Sequence, residues 1–356
     1  MTIDCVVVGG GVIGMMTARE LSITGLKVQI IEKGQVGREA SWAGGGILSP
    51  ISPWDAAEEI WPMVIASQRV YPELCAELIE ETGIDPQWIR SGMLNFDHID
   101  AEKLVRWQDK TGSGIDYLDR KQICEIEPLV NERFQSALWL SDIAQIRTPR
   151  LLKALKKSLL FHGVVISEGV AVTEISKAKA NINAVETTQG RINCGAVVIT
   201  AGAWSGKFLK KKSLIKPIRG QMLRVEVPEG LLKSILLKDD IYLIPRQSEM
   251  MKDLSEKKQQ ILIGSTLEDV GFDQTTTTEA AKSLYAVGIK VLPSLNKFPI
   301  SQQWSGLRPG SEKGIPVIDA IENIEGLFLN SGHHRNGVTL APAAAKIMKD
   351  KIINYY

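Results

Sequence analysis

The chain has 356 residues, too many for one ordinary core and enough for two closely joined domains. Hydrophobic residues make up 44% and charged residues 23%, which excludes a disordered chain, and a net charge of +1 supplies no field for nucleic acid or an acidic membrane surface. The four cysteines, Cys5, Cys75, Cys124 and Cys194, are scattered without a CxxC pair or a Cys/His cluster, so neither a disulfide framework nor a metal site is expected. No apolar stretch is long enough to span a bilayer, and no basic region precedes the first apolar run; the expected compartment is reduced and cytoplasmic.

The first elements are the most informative. In "CVVVGGGVIGMMTARELSITGLKVQIIEK" the run Val6-Val7-Val8 predicts a buried parallel strand, and a helical pattern then runs to about Ser22. Gly25 stops it, and a second strand, Val28 to Ile31, ends in Glu32. Between strand and helix lies Gly9-x-Gly11-x-x-Gly14, so every part of a βαβ dinucleotide fingerprint is in context. Gly9 permits the tight turn, Gly11 lets the backbone approach a pyrophosphate, and Gly14 lets the helix lie close on the strand. The helix start aims N–H groups and positive dipole at the phosphates. Glu32 is placed to accept ribose hydroxyls, which argues against a 2′-phosphate and so against NADP.

The next segment separates NAD from FAD. An NAD-binding domain would start its next helix here, whereas "GREASWAGGGILSP", Gly37 to Pro50, reads as an extended loop with Ser41 and the glycines Gly44 to Gly46. Side chains there would collide with a large planar ring. Downstream, residues 55–83 carry an apolar stripe at helical spacing that ends at Gly83 as a C-cap. Met93 to Phe96 and Ala137 to Leu140 read as strands, and "RTPRLLKALKKSLLFHGVVI" as helix then strand. "AVVITAGAWSG" reads as a third buried strand turning at Ala201-Gly202. Strand patterns dominate from about Ile218 to Trp304, suggesting an antiparallel sheet, with one helix near Thr278 to Leu292 opened by a capping box at Thr276 and Glu279. Ser248 to Gln260 is a polar insertion, read as an exposed loop, with a mobile cover as the lesser alternative. "GLFLNSGHHRNGVTLAP" reads as a strand, Leu327 to Asn330, a glycine loop, and a helix from about Thr339. His333 and His334 lack a third ligand at metal spacing.

In "VVVGGGVIG", "ASWAGGGIL", "VITAGAWSG", "IYLIPR", "WSGLRPG" and "SGHHRNGVTLAP" the chain resembles, almost end to end, the D-amino-acid-oxidase superfamily of flavoproteins, and within it the bacterial glycine oxidases of the thiamine pathway. The resemblance implies an α/β fold: a Rossmann-like FAD-binding domain from residues 1–55, 147–215 and 305–356, and a substrate domain of antiparallel sheet plus helices from 56–146 and 216–304. It implies that Val12, Ile13, Glu32 and Lys33 hold the AMP and pyrophosphate, that Ala40, Ser41, Gly45, Gly46 and Ile47 hold the ribityl and flavin, and that Val172 contacts the adenine. The loop from Gly332 through His333, His334, Arg335, Asn336, Gly337 and Val338 to Thr339 would wrap the flavin edge. With no cysteine after Cys194, the FAD would be non-covalent.

Oxidising an amine at its α-carbon asks the protein to grip a carboxylate and to support charge on the reduced ring, because the cofactor does the redox chemistry. A guanidinium grips a carboxylate best, and Arg308 sits between glycines and a proline. The resemblance makes Tyr242 and Arg335 further substrate contacts, and puts Leu267 and His334 at the substrate. The implied activity is oxidative deamination of glycine or a similar small amine, sarcosine or a small D-amino acid, through an imine to the oxo acid and ammonia, with O2 reduced to peroxide, in the supply of the thiamine thiazole. Other readings are a dehydrogenase of the same fold serving a quinone, a non-catalytic FAD-binding protein, and a plain NAD-dependent dehydrogenase, which would leave Gly44 to Gly46 without purpose. Relatives suggest a homo-oligomer. No nucleic-acid partner is expected, for want of a basic stripe.

Overall fold

The computed structural model describes residues 3–247 and 258–356. Most of the Ser248 to Gln260 insertion lies outside the described residues; its last three residues open a strand. In chain order the elements begin β1 (Ile3–Val8), α1 (Val12–Ile23), β2 (Val28–Glu32), a short α2 (Ala40–Ala43), α3 (Trp61–Thr82), β3 (Ile89–Arg90), β4 (Met93–Asn95), α4 (Ala101–Thr111), β5 (Asp116–Asp119), α5 (Arg120–Ile126), β6 (Ser136–Leu140), β7 (Ala144–Gln145) and α6 (Thr148–Phe161). They continue as β8 (Val165–Glu168), β9 (Val172–Ala178), β10 (Asn181–Thr187), β11 (Gly190–Ile199), β12 (Lys216–Pro228), β13 (Ile235–Lys238), β14 (Ile241–Gln247), β15 (Lys258–Gly264), α7 (Thr278–Val291), β16 (Ile300–Gly310), β17 (Val317–Ala320), β18 (Leu327–Ser331) and α8 (Gly337–Ile353).

Strand β1 is buried on both faces, as an all-apolar Val6-Val7-Val8 demands, and lies parallel between β2 and β11. The first sheet has the order β17-β18-β11-β1-β2-β8, with β17 antiparallel at one edge and the β9–β10 hairpin branching from β11. Helix α1 follows the turn at Gly9, whose φ is +112°, and lies so near the strand that a Cβ on Gly14 would overlap the Gly9 carbonyl oxygen. Met15, Ala18 and Leu21 of α1 share a fully buried cluster with Leu155 of α6 and with Ala345 and Met348 of α8. Each such leucine contributes roughly 1.5–3 kcal/mol by leaving water. Tyr71, Leu74 and Leu78 of α3 join this cluster, and the Tyr71 hydroxyl donates to the Val338 carbonyl. The helix assigned from sequence to the substrate unit therefore seals the core beneath the first sheet. It ends as expected at Gly83, in a left-handed conformation.

The second sheet runs β16-β12-β15-β14-β13-β4-β6-β5 and is antiparallel except where β13 meets β4. Side chains alternate along β14. Leu243 packs with Leu223 and Ile263 under α7, while Tyr242 and Ile244 turn to the opposite face with Met222. The cap of α7 is one residue later than the sequence suggests. Gln221 of β12 accepts from the Thr277 N–H at 2.8 Å, seating Thr277 as the N-cap, and its hydroxyl accepts from Ala280 N. Two more boundaries move: residues 40–43 form a helical turn inside the loop read as extended, and α8 begins at Gly337, after a short turn at 334–336.

Candidate active site

A single cavity opens at the C-terminal ends of β1, β2, β11 and β18, where ligands bind open α/β sheets, and its far wall carries Tyr242 of β14 and Arg308 of β16. At one end stand Gly9, Gly11, Val12, Ile13 and Glu32, with Lys33, Val172, Ala201 and Gly202 around them. Glu32 is buried. Its two oxygens accept from Gly10 N at 2.8 Å and Gly34 N at 2.9 Å, which fixes the carboxylate at the cavity wall. Lys33 holds its ammonium 3.2 Å from the centroid of the Trp204 ring. Helix α1 has no cap from its own N-cap residue, Gly11; Ser41 reaches across instead, accepting from Val12 N at 2.9 Å.

The Gly44–Ile47 segment has its carbonyls tied from outside. Thr148 donates to Gly44 O at 3.0 Å, Arg246 to Gly45 O, Ile146 N to Gly46 O at 2.8 Å, and Thr339 to Ile47 O at 3.1 Å. Among the described residues no protein acceptor takes the N–H groups of Gly45, Gly46 or Ile47, all of which line the cavity. Consecutive free amides form a concave donor surface suited to an electron-rich edge. The start of α8 adds another, since Asn336 makes no side-chain cap and Gly337 and Val338 line the wall. These donors fit the flavin and diphosphate of FAD. The glycines have a second reason as well: a Cβ on Gly45 would press on Tyr242 and Ile244, and Gly46, with φ +73°, would overlap the Ile146 carbonyl.

At the other end, Arg308 faces the cavity without a carboxylate partner among the described residues. Its Nη1 donates to Thr266 O at 3.0 Å and Arg219 O at 3.4 Å, and its Nη2 to Ser265 Oγ at 2.7 Å. The guanidinium lies over Gly220, where a Cβ would overlap it. Burial lowers its pKa. Behind it, Arg219 is gripped by Glu268 at 2.5 Å and Asp273 at 2.6 Å. Tyr242 is buried, with its hydroxyl 3.6 Å from Met222 Sδ. Arg335 pairs with Asp240 at 2.6 Å. Burial and the two arginines push His334 down to about 4, so its ring is neutral at pH 7.

Ala40, Ser41, His333, His334 and Arg335 also line the cavity, but five expected residues do not. Gly14 serves helix–strand contact, and Gly332, with φ +88°, passes beneath Ser311, which donates to its carbonyl at 2.6 Å. Asn336 precedes α8 without capping it through its side chain, and Thr339 holds the Ile47 carbonyl. Leu267 is 55% exposed: Thr266 and Glu268 turn inward to Gln221 and Arg219, so the residue between them points out. Sequence reasoning missed Gly220, Thr266, Asp240 and Arg246. Two signals existed, a glycine inside a strand at 220 and Arg246 four residues after Tyr242 on one strand face.

Residues 4–351 match the family described as FAD dependent oxidoreductase, DAO. A glycine oxidase of Pseudomonas putida is 37% identical over 354 residues, covering 98% of this chain and 94% of the relative. A bifunctional protein ThiO/ThiG of Trichormus variabilis is 31% identical over 99% of this chain and 53% of its own length. The crystal structure of a glycine oxidase from Bacillus cereus superposes with a TM-score of 0.90 at 29% identity, covering all of this chain and 96% of that one. With the fingerprint, the amide-lined cavity and the matched length in agreement, this chain belongs to the DAO family of FAD-dependent oxidoreductases.

Proposed function

We propose that this protein is an FAD-dependent oxidase of glycine or a similarly small amine, such as sarcosine or a small D-amino acid. The observation that carries this reading is Arg308: a guanidinium open to the cavity, held only by neutral acceptors, at the end opposite the dinucleotide fingerprint. Arg308 grips the substrate carboxylate through paired N–H donors, and Gly220 beneath it leaves room for the planar guanidinium. Tyr242 closes the pocket beside the carboxylate, and Arg335 supports the charge there. Neutral His334 adds no charge near the amine. Non-covalently bound FAD would supply the two-electron redox chemistry at the substrate Cα, with O2 as the final electron acceptor, and hydrolysis of the imine would give the oxo acid with ammonia or, from sarcosine, methylamine. Free amides at Gly45 to Ile47 and the start of α8 would stabilise charge on that cofactor.

The same reading divides the chain into a cofactor unit (1–55, 147–215, 305–356) and a substrate unit (56–146, 216–304), and includes a homo-oligomer in the cytoplasm that supplies thiazole synthesis. No helix among the described residues is long and apolar enough to cross a membrane. Oxygen uptake with equimolar peroxide, and with ammonia from glycine or D-alanine and methylamine from sarcosine, tests the activity. Reduction of the flavin by these amines without oxygen uptake would instead favour a dehydrogenase.

A further inference from the structure

Two arginines line the substrate end of the cavity, and they differ in what they face. Arg308 has only carbonyl and hydroxyl partners. Arg335 has a carboxylate: Asp240 Oδ2 lies 2.6 Å from its Nη1. That carboxylate is built into the fold. Asp239 and Asp240 form the two-residue turn between β13 and β14, with φ of 53° and 60°. Asp239 is anchored by Lys238 at 3.0 Å and Lys290 at 2.8 Å, and its N–H donates to Asp97. The turn therefore delivers Asp240 to Arg335 two residues before Tyr242 enters the pocket.

The other charges nearby are already matched or turned away. Arg219 is held by Glu268 and Asp273, and Arg246 is turned onto the Gly45 carbonyl. His334 carries no charge at neutral pH, because burial and both arginines suppress its protonation. Among the described residues at the substrate end of the cavity, Arg308 is the cation left without a carboxylate. A ligand with one carboxylate balances it. A second carboxylate would have to displace Asp240 from Arg335 or lie beside it unpaired, and like charges at close range repel even where, as here, the Asp240 side chain is 54% exposed.

We infer that Asp240 is a positioning residue that makes the site select amines bearing one carboxylate over those bearing two, by occupying Arg335. This deepens the amine-oxidase reading and rests on it. The probes are acetate and malonate, titrated into the holoenzyme while the flavin absorption is followed, in the wild type, Asp240→Asn and Asp240→Glu. Asparagine tolerates positive φ, so the turn persists. The wild type should bind acetate at least as tightly as malonate. Asp240→Asn should shift that ratio toward malonate by on the order of tenfold, the effect of one nearby charge, and Asp240→Glu should restore it. Relative kcat/KM for iminodiacetate over glycine should rise in step. An unchanged ratio, a parallel loss of both ligands, or a wild type that already prefers malonate overturns the inference. A wild type that binds neither carboxylate and is not reduced by glycine sinks the underlying activity, an outcome distinct from any change in the ratio.

Discussion

At the nucleotide end of the cavity, the turn at Gly9, the start of α1 and the carboxylate of Glu32 come from one βαβ unit, with Val172, Ala201 and Gly202 closing around them. The substrate end is assembled from distant strands. Arg308 lies over Gly220 only because β16 pairs with β12 in a register that sets Ile218 beside Arg308, and Ser265 and Thr266 arrive by way of β15. Local assembly couples cofactor binding to folding of the first sheet. Long-range assembly lets the substrate clamp change while the cofactor unit stands. Substitutions at the two ends should therefore separate cleanly in their readouts.

The largest effect is expected at the clamp. Arg308→Ala should lower kcat/KM for glycine by about a thousandfold, within the roughly 2–5 kcal/mol typical of truncating a buried charge partner, while flavin content stays at the wild-type level. Flavin loss in this variant would break the separation. Gly220→Ala comes next: its Cβ overlaps the guanidinium, and displacing a clamp by about 1 Å can cost about a hundredfold in rate. Steady-state kinetics should place the loss in kcat/KM with an unaltered flavin spectrum.

His333 offers a pH test. It is buried, neither ring nitrogen has a partner among the described residues, and burial holds its pKa down to about 3. Between that value and an ordinary pKa of about 6.5 the unfolded chain binds a proton that the folded chain refuses, so stability falls as pH drops. From about pH 6.5 to about pH 4.5 the cost is about 2 kcal/mol, and only a few tenths arise above about pH 6.5. His333→Leu should flatten the fall in Tm over that window. Equal slopes would show that the ring is solvated or paired.

Gly14→Ala strikes the nucleotide end. Its Cβ overlaps the Gly9 carbonyl, so α1 must move, at about 1–3 kcal/mol. Tm and FAD occupancy should fall together, and the residual holoenzyme should keep its KM for glycine. The smallest effect is expected at Leu267. With its side chain exposed, Leu267→Ala should change KM for glycine less than about twofold and stability by less than about 0.5 kcal/mol.

Legibility in the sequence divides along the same line. The strand, glycine turn, helix and Glu32 could be read directly, because each acts on its near neighbours. Gly45 and Gly46 line the cavity, yet part of the reason for glycine there is hidden from the sequence: the surfaces that exclude a side chain belong to β14 and to Ile146, far along the chain. Leu267 was misjudged as a pocket residue because the direction of a side chain on the 265–268 turn depends on Arg219 and Gln221, not on its own neighbours. The cap at Thr277 likewise depends on Gln221. Asp240 and Arg246 left only weak local traces, since an acidic turn and a strand arginine are ordinary surface features until a partner reaches them.

The central claim is that the cavity joins bound FAD to a small amine held by Arg308. Anaerobic titration of the purified holoprotein with glycine, read through the visible flavin band, tests it most directly. Bleaching should saturate with glycine and reverse when air is admitted. A yellow protein whose spectrum is indifferent to glycine, sarcosine and D-alanine would contradict it.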